Sequence, residues 1–264
     1  MTETNSAAAV TSDEPGAVRL AGWWKFDEGT GATADDSTGN GHRLTAIGNP
    51  QWTEGPTGGA IALDGTTQWL SGTTPVVASD RSFSVAAWVR LDSATIGAEA
   101  QLKPGDFAVT AVSMDGPSHS PFYLGARIGD ADPASTDPKL RWCFTAAPVD
   151  GGPTGPVEWQ KAWSAQPVGP AELDRWELLV GVYDLESAAV RIFVPGTGDH
   201  GVGELPGNWP AWRAEGGVGI GQARYLDAVA DQWPGSVGAV RIYLGVLDEA
   251  DARRLYEEDL AAQR

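Results

Sequence analysis

One cysteine and two methionines in 264 residues leave this chain almost without sulfur. Cys143 alone forms neither an internal disulfide nor a zinc site with neighbouring cysteines. It stands in the apolar run RWCFTA, which reads as a buried structural thiol rather than a nucleophile. Basic residues are scarce as well: 18 Lys and Arg stand against 35 Asp and Glu, a formal charge of −17. That field repels phosphate backbones and anionic lipid, which argues against nucleic acid and membrane partners. Long apolar runs are missing too, since no stretch approaches the roughly 20 apolar residues of a membrane span. The opening MTETNSAAAVTSDEPGA has no basic start and only four consecutive apolar residues, so it is not a signal peptide. The expected location is cytoplasmic for the chain as given, or secreted if it is excised from a larger chain. Residues 1–17 are small, polar and acidic, and are expected to form a disordered tail.

What the chain does have is tryptophan and period-two alternation. Twelve tryptophans are available for burial or for a ligand face, and composition alone does not divide them. In WELLVGVYDLESAAVRIFV at 176–194, Trp176, Leu178, Val180 and Val182 recur every second residue, and so do Val190, Ile192 and Val194. This predicts two half-buried strands joined by a polar hairpin connection. Phe83, Val85, Ala87, Val89 and Leu91 alternate in the same way, opposite Ser84, Ala86, Trp88 and Arg90. Two strands flank the polar turn MDGPSHS. The second puts Phe122, Leu124, Ala126 and Ile128 on one face and Tyr123, Gly125 and Arg127 on the other. In the strand that follows, Trp142 and Phe144 face inward, with Arg141 and Cys143 outward. Residues 150–170 read as a long loop or a short pair of strands carrying Trp159 and Trp163. At the end Val237, Ala239, Arg241 and Tyr243 are expected opposite Gly238, Val240, Ile242 and Leu244. One helix closes the chain, capped by Asp248, with Ala252, Leu255, Tyr256 and Leu260 on one face. Roughly ten to twelve strands and one short helix make an all-β, two-sheet antiparallel jelly-roll sandwich over residues 18–264.

Several blocks in order resemble the laminin-G-like, concanavalin A-like lectin/glucanase jelly-roll family, especially its actinobacterial members. They are WWKFDEGTG at 23–31, DDSTGNGH at 35–42, AIALDG at 60–65, FSVAAWVRL at 83–91, AVSMDGPSHSPFYL at 111–124, RWELLVGVYD at 175–184 and VGAVRIYLGVLDEADARRLY at 237–256. The resemblance implies two facing sheets, adjacent terminal strands and a concave face open to a glycan or protein ligand. The family's acidic pair before the last strand is replaced here by Val237-Gly238-Ala239-Val240. Asp36 and Asn40 are left as the candidate ligands of a structural calcium with half of its usual carboxylates gone. The usual Asp-Gly hairpin turn is Val194-Pro195-Gly196, which changes a loop and not the fold.

Each candidate chemistry has a plainer competitor. Glu172, Asp174 and Glu177 match the E-x-D-x-x-E letters of sandwich-fold glucanases, where two carboxylates about 5–5.5 Å apart perform retaining hydrolysis. Pro170 upstream makes this segment read as a turn, with only Glu177 firmly in the strand. His119 and Asp115 in MDGPSHS could form an acid–base pair, although a histidine in a polar turn is usually just solvated. The outward set Tyr123, Arg127, Arg141 and Arg191, with Trp159 and Trp163 above it, is the candidate ligand surface. Aromatic rings stack on sugar faces and arginines supply hydrogen-bond forks. The competing reading is a sheet face whose arginines pair with surplus carboxylates. The function expected is non-catalytic, lectin-like carbohydrate or protein recognition with no certain cofactor. The alternative is a small-molecule enzyme that cyclises or rearranges its substrate in an aromatic-lined cavity, with glycoside hydrolysis third.

Overall fold

In the computed structural model, which describes residues 18–96, 107–130, 132, 139–151 and 157–262, the expected alternation becomes two antiparallel sheets of eight strands each. The expected N-terminal tail lies outside these residues. Across the first sheet the order is Asp199–Glu204, Ala189–Val194, Glu177–Asp184, Phe83–Leu91, Pro234–Leu244, Gly58–Asp64 and Gln51–Gly55. Arg19–Trp24 pairs with the second half of Pro234–Leu244, so the N- and C-terminal strands are adjacent. The second sheet runs Gln160–Trp163, Lys139–Ala146, Phe122–Gly129, Ala108–Met114, Val218–Ile220, Trp69–Ser71, Leu44–Ile47 and Thr33–Ala34. A small hairpin, Ala223–Tyr225 with Ala228–Ala230, stands apart from both. The described residues hold eighteen strands, more than expected, because pieces of two to four residues such as Thr33–Ala34 are too short to show a period. Between 150 and 170 the described residues hold one strand, Gln160–Trp163. A helical turn at 93–96, whose Ala94 N–H is capped by Asp92 at 3.0 Å, also escapes the periodicity.

The inter-sheet core takes the side chains that alternation assigns to it. Phe83, Val85, Ala87, Val89 and Leu91 of the first sheet meet Phe122, Leu124, Ala126, Trp142 and Phe144 of the second. The Glu177–Asp184 strand differs from expectation in being buried on both faces. Leu179 and Tyr183 enter the inter-sheet core, while Leu178, Val180 and Val182 pack under the Glu249–Ala261 helix with Trp88 and Phe193. The helix covers the outer face of the first sheet, which therefore carries apolar residues on both sides. Its start is the expected one: Asp248 accepts from the Asp251 N–H at 2.8 Å, and the Asp251 carboxylate accepts from the Asp248 N–H.

A bulge corrects the expected parity of the last strand. The pairing register slips between Gly238 and Arg241, and Ala239 there takes a φ of +44°. Val237, Val240 and Ile242 consequently all face the core, whereas Ala239 faces the helix. At the far edge the two sheets come together backbone to backbone. A Cβ on Gly201 would lie 1.7 Å from the Trp163 carbonyl oxygen, and one on Gly203 2.2 Å from that of Lys161. Only glycine permits this approach. It fixes the backbone of the Gln160–Trp163 strand, whose outward side chains matter below.

Candidate functional site

Among the described residues no helix lies over the outer face of the second sheet. This face carries Tyr123 and Arg127 from the Phe122–Gly129 strand, Thr145 from Lys139–Ala146 and Lys161 from Gln160–Trp163. With Ala108, Trp159, Tyr225 and Asp231 these line a cleft of about 310 Å³, at the small end of the roughly 300–1,000 Å³ of ligand sites. The small hairpin makes one wall and Trp159 another.

The walls are tied down by hydrogen bonds. The Tyr123 hydroxyl donates to the Arg224 carbonyl at 2.8 Å and accepts from the Ser120 N–H at 3.2 Å. Burial pushes that phenol well above its ordinary range, so it stays protonated. Arg224 donates through Nε to the Pro117 carbonyl at 2.7 Å, and the Ser118 hydroxyl bonds Asp227, which stitches the hairpin to the turn at 115–120. Four rings then cluster: Tyr123 and Trp159 with centroids 5.4 Å apart, Trp159 and His119 5.6 Å, His119 and Tyr225 4.9 Å edge to face, Trp159 and Tyr225 6.2 Å. Trp24, Trp52, Trp88, Trp209 and Trp212 donate their indole N–H groups to protein acceptors. Trp159 forms no such bond within the described residues.

Charge in the cleft is distributed unevenly. Arg127 lies over the Tyr123 ring at 5.2 Å and donates to Asp231 at 2.7 Å. Lys161 is half-buried. Burial lowers its pKa, with Glu158 acting in the opposite direction. Beneath the same face Cys143 is buried as expected, its thiol pushed up by burial and 3.4 Å from the Thr145 hydroxyl.

Of the six side chains expected to bind a ligand, Tyr123, Arg127 and Trp159 meet in this cleft. Arg141 and Trp163 share the sheet face but are engaged elsewhere. Arg141 reaches the Ser164 and Ala165 carbonyls and, at 3.2 Å, Asp130. Trp163 packs against Gly129, where a Cβ would be 2.3 Å from its ring. Arg191 does not belong to the group. Its strand is in the first sheet, and it bonds Asp184 at 2.9 Å and Ser187 at 2.7 Å. Thr145, Lys161, Tyr225 and Asp231 were not among the expected residues. Lys161 had a legible signal in WQKAW, where Trp159, Lys161 and Trp163 alternate onto one face.

The catalytic candidates do not converge. His119 is buried rather than solvated, and its Nδ1 accepts from the Gly151 N–H at 3.0 Å. Burial lowers its pKa against the pull of Asp150 and Asp227, so the neutral ring is favoured. Asp115 does not pair with it. Its carboxylate accepts from Gln222 Nε2 at 3.2 Å and Ser120 Oγ at 3.3 Å, while burial raises its pKa. Glu177 lies in the first sheet beside Gly196, raised by burial against Arg175. Glu172 accepts from the Gly169 N–H and Asp174 from the Ser93 N–H, so these two residues of the E-x-D-x-x-E stretch are held by separate backbone donors, while Glu172 adds to the upward push on Glu177. The candidate calcium ligands are likewise engaged. Asp36 Oδ1 accepts from the Trp23 and Thr38 N–H groups and the Thr38 hydroxyl, and Oδ2 from the His42 N–H. Asn40 donates to the Ala21 carbonyl. These bonds tie the loop to the first strand. Among the described residues no three His, Cys, Asp or Glu side chains cluster as a metal site.

Residues 64–253 match the family model described as the concanavalin A-like lectin/glucanases superfamily. The chain belongs to this superfamily. Solved structures agree on the fold. Domain 4 of a GH43 extracellular arabinanase from Geobacillus stearothermophilus, in complex with arabinotriose, is 19% identical with a TM-score of 0.60, covering 90% of this chain and 98% of that one. A botulinum neurotoxin type C structure, whose cell entry depends on interaction with two ganglioside molecules, gives 11% and 0.61, covering 91% of this chain and 51% of that one. The binding domain of Paraclostridial Mosquitocidal Protein 1 gives 11% and 0.60, covering 90% and 52%. The superfamily member thus spans about half the length of the toxin chains it matches. No curated protein sequence matches it.

Proposed function

We propose that this superfamily member is a non-catalytic recognition domain that binds a glycan in the cleft between Trp159 and the 223–230 hairpin. The observation that carries the reading is Trp159, a ring on the cleft wall held by three other rings, whose own N–H has no acceptor among the described residues. Such a ring offers a sugar both an apolar face to stack on and a donor at its edge. Supporting it, the acid–base candidates have fixed partners away from one another, and arabinotriose is bound to a domain of the same fold.

A glycan array followed by calorimetry on the leading saccharide tests the reading. One saccharide class should bind, and Trp159→Ala should weaken it at least tenfold, roughly the 1.4 kcal/mol expected from a lost stacking contact. Trp163→Ala should leave affinity unchanged, because its ring covers Gly129 and not the cleft. Absence of any saccharide binding, or equal affinity after Trp159→Ala, would overturn it.

A further inference from the structure

We infer that the cleft selects saccharides carrying an anionic group, and that Lys161 reads that group. The inference rests on the glycan reading above and names the class of sugar. Carboxylates outnumber cations nearly two to one here, 35 to 18, and half-buried arginines find them: Arg127 with Asp231, Arg141 with Asp130, Arg191 with Asp184. Lys161 is half-buried yet makes no hydrogen bond, ion pair or ring contact within the described residues. The carboxylate nearest in sequence, Glu158, is exposed and forms no salt bridge with it. Arg127 is neutralised by Asp231 at 2.7 Å, so of the three charges lining the cleft that of Lys161 is left over.

Its position is set by the fold. The Lys161 backbone pairs with Thr145 on one side and is pressed against Gly203 of the first sheet on the other. The side chain therefore rises from a fixed point on the cleft floor toward the space that Trp159 and Tyr225 enclose. An amine partly withdrawn from water gains more from an incoming anion than a hydrated one does, because the screening is weaker. Lysine is a point charge without the arginine fork, so it accepts a carboxylate or a sulfate ester alike. A neutral sugar would leave the desolvated amine without a counter-ion. That difference is what selects.

The test uses oligosaccharide pairs that differ only at one ring, hexose against hexuronic acid and hexose against its sulfate ester, titrated into the full chain by calorimetry at 50 and 500 mM NaCl. The expected result is at least tenfold tighter binding of one anionic partner at low salt, shrinking at high salt. Lys161→Gln should remove the preference, so that neutral and anionic partners bind alike, and Lys161→Arg should keep it. Which pair shows the effect distinguishes carboxylate from sulfate. Equal binding of neutral and anionic partners, or a preference that survives Lys161→Gln, overturns the inference and leaves the glycan reading standing. Failure of every saccharide to bind the unaltered chain overturns both.

Discussion

The closing helix hangs on one buried carboxylate. Asp259 is only 5% exposed, takes a bidentate pair from Arg241 at 2.9 and 2.6 Å, and accepts the Trp88 indole N–H at 2.7 Å. Above and below this group Trp88 stacks on Tyr256 at 5.5 Å, and Arg241 lies over Trp23 at 5.0 Å. Replacing Asp259 with alanine leaves Arg241, itself 7% exposed, as a buried charge without its counter-ion and orphans the indole donor. Breaking a buried pair in this way costs about 3–5 kcal/mol, a large share of the 5–15 kcal/mol that folded domains have. For a chain of this size each kcal/mol moves Tm by about 2–4 °C, so a fall of about 6–20 °C is expected. Urea denaturation followed by tryptophan fluorescence measures the free energy, and calorimetry the Tm. The paired control is Arg241→Met with Asp259→Leu, which removes both charges together and should recover most of the loss, since a buried pair contributes little over an apolar replacement. A loss below about 1 kcal/mol for Asp259→Ala would refute the reasoning, because it would mean that water reaches the pair and screens it. A double variant as unstable as the single one would also refute it, by showing that shape and not charge is at stake.

Gly201→Ala should cost about 1–3 kcal/mol in the same denaturation assay, because the new methyl meets the Trp163 carbonyl and backbone cannot give way as a side chain does; an unchanged midpoint would show that the seam between the sheets is loose. In acid, two windows are expected by calorimetry against pH. His119 has a lowered folded pKa, so the unfolded chain binds its proton first and stability falls as pH drops below about 6.5. Asp115 and Glu177, raised by burial, change stability in the opposite sense, so the His119→Gln difference isolates the histidine. Desolvation raises Asp64, Asp36 and Asp184, but their hydrogen bonds outweigh this and hold the exposed Asp64 down to about 2. Their contribution is present above about pH 4 and is lost as pH falls toward 2. Calcium and EDTA should leave Tm unchanged, whereas a specific site at a hundred times its Kd would add about 2.7 kcal/mol; Asp36→Ala should lower Tm with or without calcium, since it frees four donors.

The sandwich was legible because alternation states which face of a strand each side chain takes. Phe83 to Leu91 and Phe122 to Ile128 follow it without exception. Alternation does not state which sheet a strand joins, and that is why Arg191 reads as a companion of Arg127 although the two lie in different sheets. It also fails across the bulge at Ala239, where one extra residue reverses the parity of everything after it. Asp259 looks like another surface carboxylate of an acidic helix. Its partners, Arg241 and Trp88, are 18 and 171 residues away in sequence, and only tertiary packing brings them to it. In the cleft, Tyr123, Arg127 and Trp159 carried a signal. Tyr225 and Asp231 did not, because strands of three residues have no measurable period and the hairpin is placed by bonds to the distant turn at 115–120.

The placement of the cleft has a single physical origin. A sandwich buries one face of each sheet and leaves two outer faces to be solved separately. On the first sheet the central strands are covered: the Glu249–Ala261 helix lays Leu255, Tyr256 and Leu260 over Trp88, Leu178 and Val180. On the second sheet the cover among the described residues is a hairpin of two three-residue strands and a segment carrying Trp159, and the apolar cluster beneath them is small, with Tyr123, Ala147 and Ala223 at its centre. Such a cover closes over one end of the face and leaves Arg127 and Lys161 half-buried beside it. The residues at the boundary of the covered part are therefore aromatic on one side and charged on the other. A sugar ring, with an apolar face and a polar rim, has the same division of surface, which is why the second sheet, and not the helix-covered centre of the first, is where recognition is expected.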